Sequence, residues 1–184
     1  MSDAPGGRDP GYVIRPVTPD DMEVLVNLVR ELLVYERLEA HAKSTPDDFR
    51  RALFGPRPSA EAVLVDLDGE AVGFALWFTT FSTSRGQPCL YLEDLFVRPE
   101  YRGRGIGKAL LAMLARLVTE RGCGKLEWSV LNWNEPAIGF YRSLGARPMD
   151  EWTVYRLDGE PLRQLAARSP DLKWPHSTER IPNG

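Results

Sequence analysis

The chain is poor in the residues that build metal sites and covalent catalytic centres. It has two cysteines, Cys89 and Cys123, and two histidines, His41 and His176, in 184 residues. Neither pair has metal-ligand spacing, and their number excludes a disulfide framework. No convincing Ser/His or Cys/His pair offers a covalent nucleophile. Positive charge is not in excess: a net charge of −3 argues against a nucleic-acid binder that relies on overall basicity. Apolar runs stay far short of the ~20 residues that span a bilayer. The polar, glycine-rich N-terminus lacks the apolar segment of a signal peptide. These absences predict a reduced, cytoplasmic protein with no metal, no membrane partner and no nucleic-acid partner.

A hydrophobic fraction of 43% suits a single globular domain with a substantial core. Residues 1–11 read as a flexible Pro/Gly/Asp-rich leader, residues 12–167 as the domain, and residues 168–184 as a tail of unassigned structure. Tyr12 to Val17 alternates as a first strand. Thr18-Pro19-Asp20-Asp21 signals a helix start, and Val24, Leu25, Leu28, Val29, Leu32 and Leu33 give that helix its buried stripe. Thr45-Pro46-Asp47-Asp48 repeats the signal for a short helix closed by Gly55-Pro56. Ala62–Leu67 and Ala71–Phe78 read as strands joined through Asp68-Gly69, with Thr79–Pro88 as a loop. Later strands are predicted at Leu126–Leu131 and Trp152–Leu157, with helices from Glu135 to about Leu144 and from Glu160 to Ala167. Asn134 is a candidate N-cap. This order predicts a mixed α/β fold.

One stretch organises the rest. Tyr91 to Val97 is an apolar strand carrying Glu93 and Asp94. Pro99 ends it, and Arg102-Gly103-Arg104-Gly105-Ile106-Gly107-Lys108 leads into a helix with apolar residues from Ile106 to Val118 at helical spacing. Strand, glycine loop and helix N-terminus together make a phosphate cradle. Glycines expose backbone N–H groups, the helix end is partly positive, and Arg102, Arg104 and Lys108 add charge. A Walker loop would need glycine at Arg102 and Ser or Thr at Ala109. A dinucleotide fingerprint would need glycine at Lys108.

The loop resembles the pyrophosphate loop of the GCN5-related N-acetyltransferases. Tyr12-Val13-Ile14-Arg15-Pro16, Glu31-Leu32 to Tyr35-Glu36, Tyr91 to Asp94, Trp133-Asn134-Glu135-Pro136 and Phe140-Tyr141 to Leu144-Gly145-Ala146 are similar to the diamine acetyltransferase branch. That branch acts on spermidine, spermine or thialysine. The resemblance implies a mixed central sheet with helices on both faces, acetyl-CoA as co-substrate, a small-molecule amine as acceptor and a homodimer. It also implies site residues. Arg102 to Lys108 would take the pyrophosphate. The backbone of Leu95, Phe96 and Val97, and the segment Asn134, Glu135, Pro136 and Ala137 with Tyr141, would hold the rest of the cofactor.

Amine acetylation needs a neutral nitrogen, whereas an alkylamine of pKa roughly 10.4 arrives protonated. A base must take that proton, and an acid must protonate the departing thiolate. The resemblance assigns Glu93 as base and Tyr141 as acid. It places Tyr35, Glu36, Glu93 and Asp94 around the amine. Strand alternation sets Glu93 and Asp94 on opposite faces unless a bulge intervenes. Polyamine-specific members carry an acidic residue and a tryptophan in the loop before the catalytic strand. Here that loop is Phe81-Ser82-Thr83-Ser84-Arg85-Gly86, and Arg85 is expected to favour a substrate with its own carboxylate. A protein or peptide acetyltransferase and a catalytically silent acyl-CoA-binding module are the alternatives on the same fold.

Overall fold

The computed structural model describes residues 11–170; most of the leader and residues 171–184 of the tail lie outside them. Two compact units divide within one helix, at Ala137 and Ile138. The first unit contains a five-stranded sheet in the order β1-β2-β3-β4-β5. Its elements are β1 (Tyr12–Pro16), α1 (Met22–Tyr35), α2 (Pro46–Phe54), β2 (Glu61–Leu67), β3 (Glu70–Ser82), β4 (Gln87–Val97), α3 (Ile106–Glu120) and β5 (Leu126–Trp128). Strands β1 to β4 pair antiparallel, and β5 joins β4 in parallel. The mixed sheet is the one the sequence implies.

Local chemistry explains the element boundaries. Thr45 and Asp48 exchange side-chain and backbone bonds at the start of α2, with Pro46 at the first helical position. Asp68 and Gly69 both adopt positive φ, 53° and 82°, the conformation of a tight two-residue hairpin turn. On one sheet face Met22, Leu25, Leu28 and Leu32 of α1 and Leu53 of α2 pack on Leu64, Phe74, Leu76 and Phe96. Each such side chain, fully buried, contributes about 1.5–3 kcal/mol. Alternation sends Val63 and Trp77 to the other face, where they line a cavity together with Met113 and Leu117 of α3.

Two arginine clamps fix the register of helix and sheet. Arg15 bonds Asp21 at 2.8 and 2.9 Å and Asp66 at 2.5 Å, joining β1, β2 and the start of α1. Its guanidinium holds Asp21 well below the usual carboxylate range. Arg98, just after β4, grips Glu31 of α1 through two bonds of 2.7 and 2.8 Å and also pairs with Glu70. Glu31 lies one turn before Tyr35, so this clamp sets where the end of α1 meets β4.

Three expectations require correction. Thr79–Pro88 is not a loop: β3 continues to Ser82 and β4 begins at Gln87, leaving only Thr83–Gly86 as the turn. β-Branched Thr79 and Thr80 fit a ladder as well as a loop. β5 ends at Trp128 rather than Leu131. Trp152–Leu157 is not a strand, because no ladder partner is assigned to it among the described residues; Trp152, Val154 and Tyr155 are exposed there.

The second unit holds most of α4 (Glu135–Ser143) and all of α5 (Gly159–Ala166). Gly145 just after α4 has φ 86°, the left-handed conformation of a helix C-terminus. Among the described residues no helix is long and apolar enough to cross a membrane.

Candidate active site

Strand β4 carries a defect where the chemistry is expected. Leu76 pairs with Asp94 and Trp77 with Leu92, so Glu93 is an extra residue on β4. Such a β-bulge breaks the two-residue alternation that would otherwise keep Glu93 and Asp94 apart. Asp94, opposite Leu76 and two residues from Phe96, belongs to the face covered by α1. Its carboxyl is pushed up to about 7, first by burial and then by the charges of Glu93 and Glu36. Burial also raises Glu36, at the end of α1. Glu93 itself is exposed. The bulge and the helix end thus gather three carboxyl groups, one of them poised near neutrality.

The sheet opens beside this cluster. Pairing of β4 with β5 stops at Leu92 and Trp128, while β4 runs on to Val97. Alternate backbone groups of Leu95, Phe96 and Val97 on that edge therefore have no β5 partner. An extended ligand arm can add there as a further strand.

The glycine loop follows. Gly103 and Gly105 have φ 76° and 83°, and a Cβ on either would find no atom within 4 Å. Gly105 precedes α3, whose first-turn amides from Ile106, Gly107 and Lys108 have no intrahelical acceptor. Arg104 and Lys108 are exposed. Left-handed glycines, open space above them and free amides fit a diphosphate. Arg102 behaves differently from its loop neighbours. Its Nε donates to Val97 O at 2.9 Å, and its guanidinium lies 4.6 Å from the Tyr35 ring and 5.9 Å from that of Phe96.

The end of α1 is locked to the start of α4. The Tyr35 hydroxyl donates to Asn134 Oδ1 at 3.1 Å, and the same oxygen accepts the Ala137 N–H at 3.3 Å. Buried Asn134 is thus the cap its sequence position suggests and also a tie to α1, which that position does not reveal. Glu135 and Pro136 are exposed in the first turn of α4. Trp133 packs 6.0 Å from the Tyr35 ring, and Arg37 stands 5.1 Å over Trp133. Sequence reasoning did not single out Arg37; its signal would have been a long side chain where a helix ends.

One expected residue, Arg85, is not joined to the cluster. Arg85 lies in the β3–β4 turn, beyond Gln87, roughly 20–25 Å along the strand from Asp94 at ~3.3 Å per residue. Its Cδ would stand 3.2 Å from a Cβ on Gly124. Tyr141 lies on α4 in the second unit, half-buried, with its ring 5.4 Å from that of Phe140. A cavity of about 570 Å³ near Leu53, Trp77, Leu117 and Arg121 contains none of the expected site residues. Among the described residues no group of three or more His, Cys, Asp or Glu side chains could hold a metal ion.

Comparison with known proteins shows the family. Residues 26–146 match the model of the acetyltransferase (GNAT) family. That match crosses the boundary between the two units, so both contribute to one family domain. Bos taurus thialysine N-epsilon-acetyltransferase is 34% identical over 167 residues, covering 85% of this chain and 98% of the bovine one. Arabidopsis thaliana L-ornithine N5-acetyltransferase is 28% identical, over 83% of this chain and 86% of its own. The solved structure of an integron cassette protein from the V. cholerae mobile metagenome superposes with TM-score 0.72. It is 28% identical and covers 85% of this chain and 98% of its own. The chain belongs to the GNAT family of N-acetyltransferases.

Proposed function

We propose that this enzyme transfers acetyl from acetyl-CoA to the side-chain amine of a small lysine- or ornithine-like amino acid. The observation that carries this reading is the bulge at Glu93, which sets Asp94 beside Glu36 next to the fork between β4 and β5. The names of the relatives that act on thialysine and L-ornithine support the substrate class.

Gly103 to Lys108 would hold the diphosphate of acetyl-CoA, and the edge of Leu95–Val97 beyond the end of β5 its pantetheine arm. Acetyl-CoA supplies a thioester carbonyl open to attack by a neutral amine. The carboxylates draw the ammonium in and take its proton. Asp94, held near neutrality, is better matched to that task at physiological pH than an ordinary carboxylate. Burial, and then the charges of Glu93 and Glu36, keep it there. Tyr141 serves as the acid that protonates the departing thiolate, a role the family resemblance implies. Arg102 supports the loop through its bond to Val97 O and its contact with the Tyr35 ring.

Mass spectrometry of reactions with acetyl-CoA and lysine, thialysine or ornithine tests this. A singly acetylated product modified on the side-chain nitrogen is expected. Tyr141→Phe should lower its rate of formation about 10²–10⁴-fold. Acetylation of peptide N-termini in preference to these amino acids would contradict it.

A further inference from the structure

Arg37 occupies a position that ordinarily belongs to glycine. Glu36 caps α1, and Arg37 follows it with φ 61°, the left-handed conformation of a helix C-terminal motif. Its N–H bonds Val34 O at 3.1 Å, and the Leu38 N–H reaches back to Leu33 O at 2.7 Å. The backbone is thus fully engaged in ending the helix. A long side chain adds only steric strain to that task, because left-handed geometry disfavours residues with a Cβ. A helix stop alone would be better served by glycine.

The side chain has a definite place. The guanidinium lies over Trp133, 5.1 Å from the ring centroid, and Trp133 packs on Tyr35 at 6.0 Å. Tyr35 adjoins Glu36, which acts on Asp94. A cation is therefore held on Trp133, which packs on the residue next to Glu36. A cation–π contact does not consume the N–H donors of the guanidinium. Among the described residues none of them has an acceptor. Arg15, Arg98 and Arg121, by contrast, are each paired with acidic side chains.

We propose that Arg37 binds the carboxylate of the amino-acid substrate while the Glu36–Asp94 cluster receives its side-chain ammonium. The chemistry is complementary at both ends. A planar guanidinium meets a carboxylate through two parallel N–H bonds, and a cation at the rim repels the second ammonium of a diamine. The proposal rests on the acetyl-transfer reading above but adds to it a residue that discriminates between amines.

The test compares an amino acid with the same molecule lacking its carboxylate. Lysine and 1,5-diaminopentane share the reacting amine and the methylene chain. Steady-state kcat/KM is measured for both with wild type, Arg37→Gly and Arg37→Lys. Arg37→Gly should reduce kcat/KM for lysine about tenfold or more, chiefly through KM, as expected for losing a charged hydrogen bond. It should leave the diamine unchanged or improved. Arg37→Lys keeps the charge and should recover part of the loss. Thermal melting should show Arg37→Gly at least as stable as wild type, which separates loss of recognition from loss of fold. A lysine-to-diaminopentane ratio unmoved by either substitution would rule out Arg37 as the carboxylate partner. Failure of wild type to acetylate either amine would instead overturn the underlying reading.

Discussion

Tyr35 donates its hydroxyl proton to Asn134 across 3.1 Å, tying the last turn of the first helix to the start of the fourth. The family resemblance places Tyr35 against the amine, yet its hydroxyl is already engaged and its ring lies under Arg102. Tyr35→Phe should therefore cost about 1 kcal/mol of stability, the net worth of one hydrogen bond. It should change the amine KM by less than about twofold. Chemical denaturation and steady-state kinetics measure the two effects. A large rise in amine KM with unchanged stability would return Tyr35 to the amine site.

Asp94 provides a test with a defined sign. Its carboxyl is raised to about 7 in the folded protein, against an ordinary aspartate value near 3.8. Between those values the folded state holds a proton that the unfolded chain has released. The group's contribution thus turns unfavourable as pH rises from about 4 to about 7. Asp94→Asn should leave stability nearly unchanged at pH 4 and raise it by roughly 1–4 kcal/mol at pH 8. The same substitution should depress kcat/KM and remove an ionisation near neutrality from its pH profile. Equal stability changes at the two pH values would show that Asp94 titrates normally.

Much of this was legible in the sequence. The glycine loop, the Thr45-capped start of α2 and the Asp68-Gly69 hairpin follow from local chemistry, which the fold leaves intact; the Thr18 signal gives a short 3-10 turn, and Asp21 stands at the start of α1. The bulge was not legible, because an extra residue in one strand is defined only against its neighbour: Glu93 is surplus relative to Leu76 and Trp77. The contacts of Arg102 were not legible for the same reason. Only the folded chain brings Val97 O and the Tyr35 ring to it. The segment 152–157 has strand alternation, but alternation describes one face and supplies no partner.

Arg85 illustrates the consequence of longer strands. With β3 and β4 extended to Ser82 and Gln87, the turn lies far from Asp94. Arg85→Asp should leave the ratio of kcat/KM for lysine and spermidine within about twofold of wild type, as expected of a remote exposed charge. Paired kinetics on both substrates would show it. A shift toward spermidine of tenfold or more would bring the turn back into the amine site.

Gly105 combines a left-handed φ of 83° with open space where a side chain would project. Valine there would meet backbone strain of about 1–3 kcal/mol and would stand in the way of the diphosphate. Calorimetry should show acetyl-CoA affinity reduced about tenfold or more in Gly105→Val, with circular dichroism confirming an intact fold. Undiminished affinity would remove the glycine loop from the cofactor site.

The most direct measurement is the rate of CoA release from acetyl-CoA with a panel of lysine, thialysine, ornithine, 1,5-diaminopentane, spermidine and an unblocked peptide. The carboxyl cluster, the fork beside β4 and the kinship with acetyltransferases of thialysine and L-ornithine predict one ranking. The three amino acids should give the highest kcat/KM, spermidine a lower one and the peptide the lowest. CoA release that is fastest with the peptide, or absent with every amine, would contradict acetyl transfer to a small amino acid.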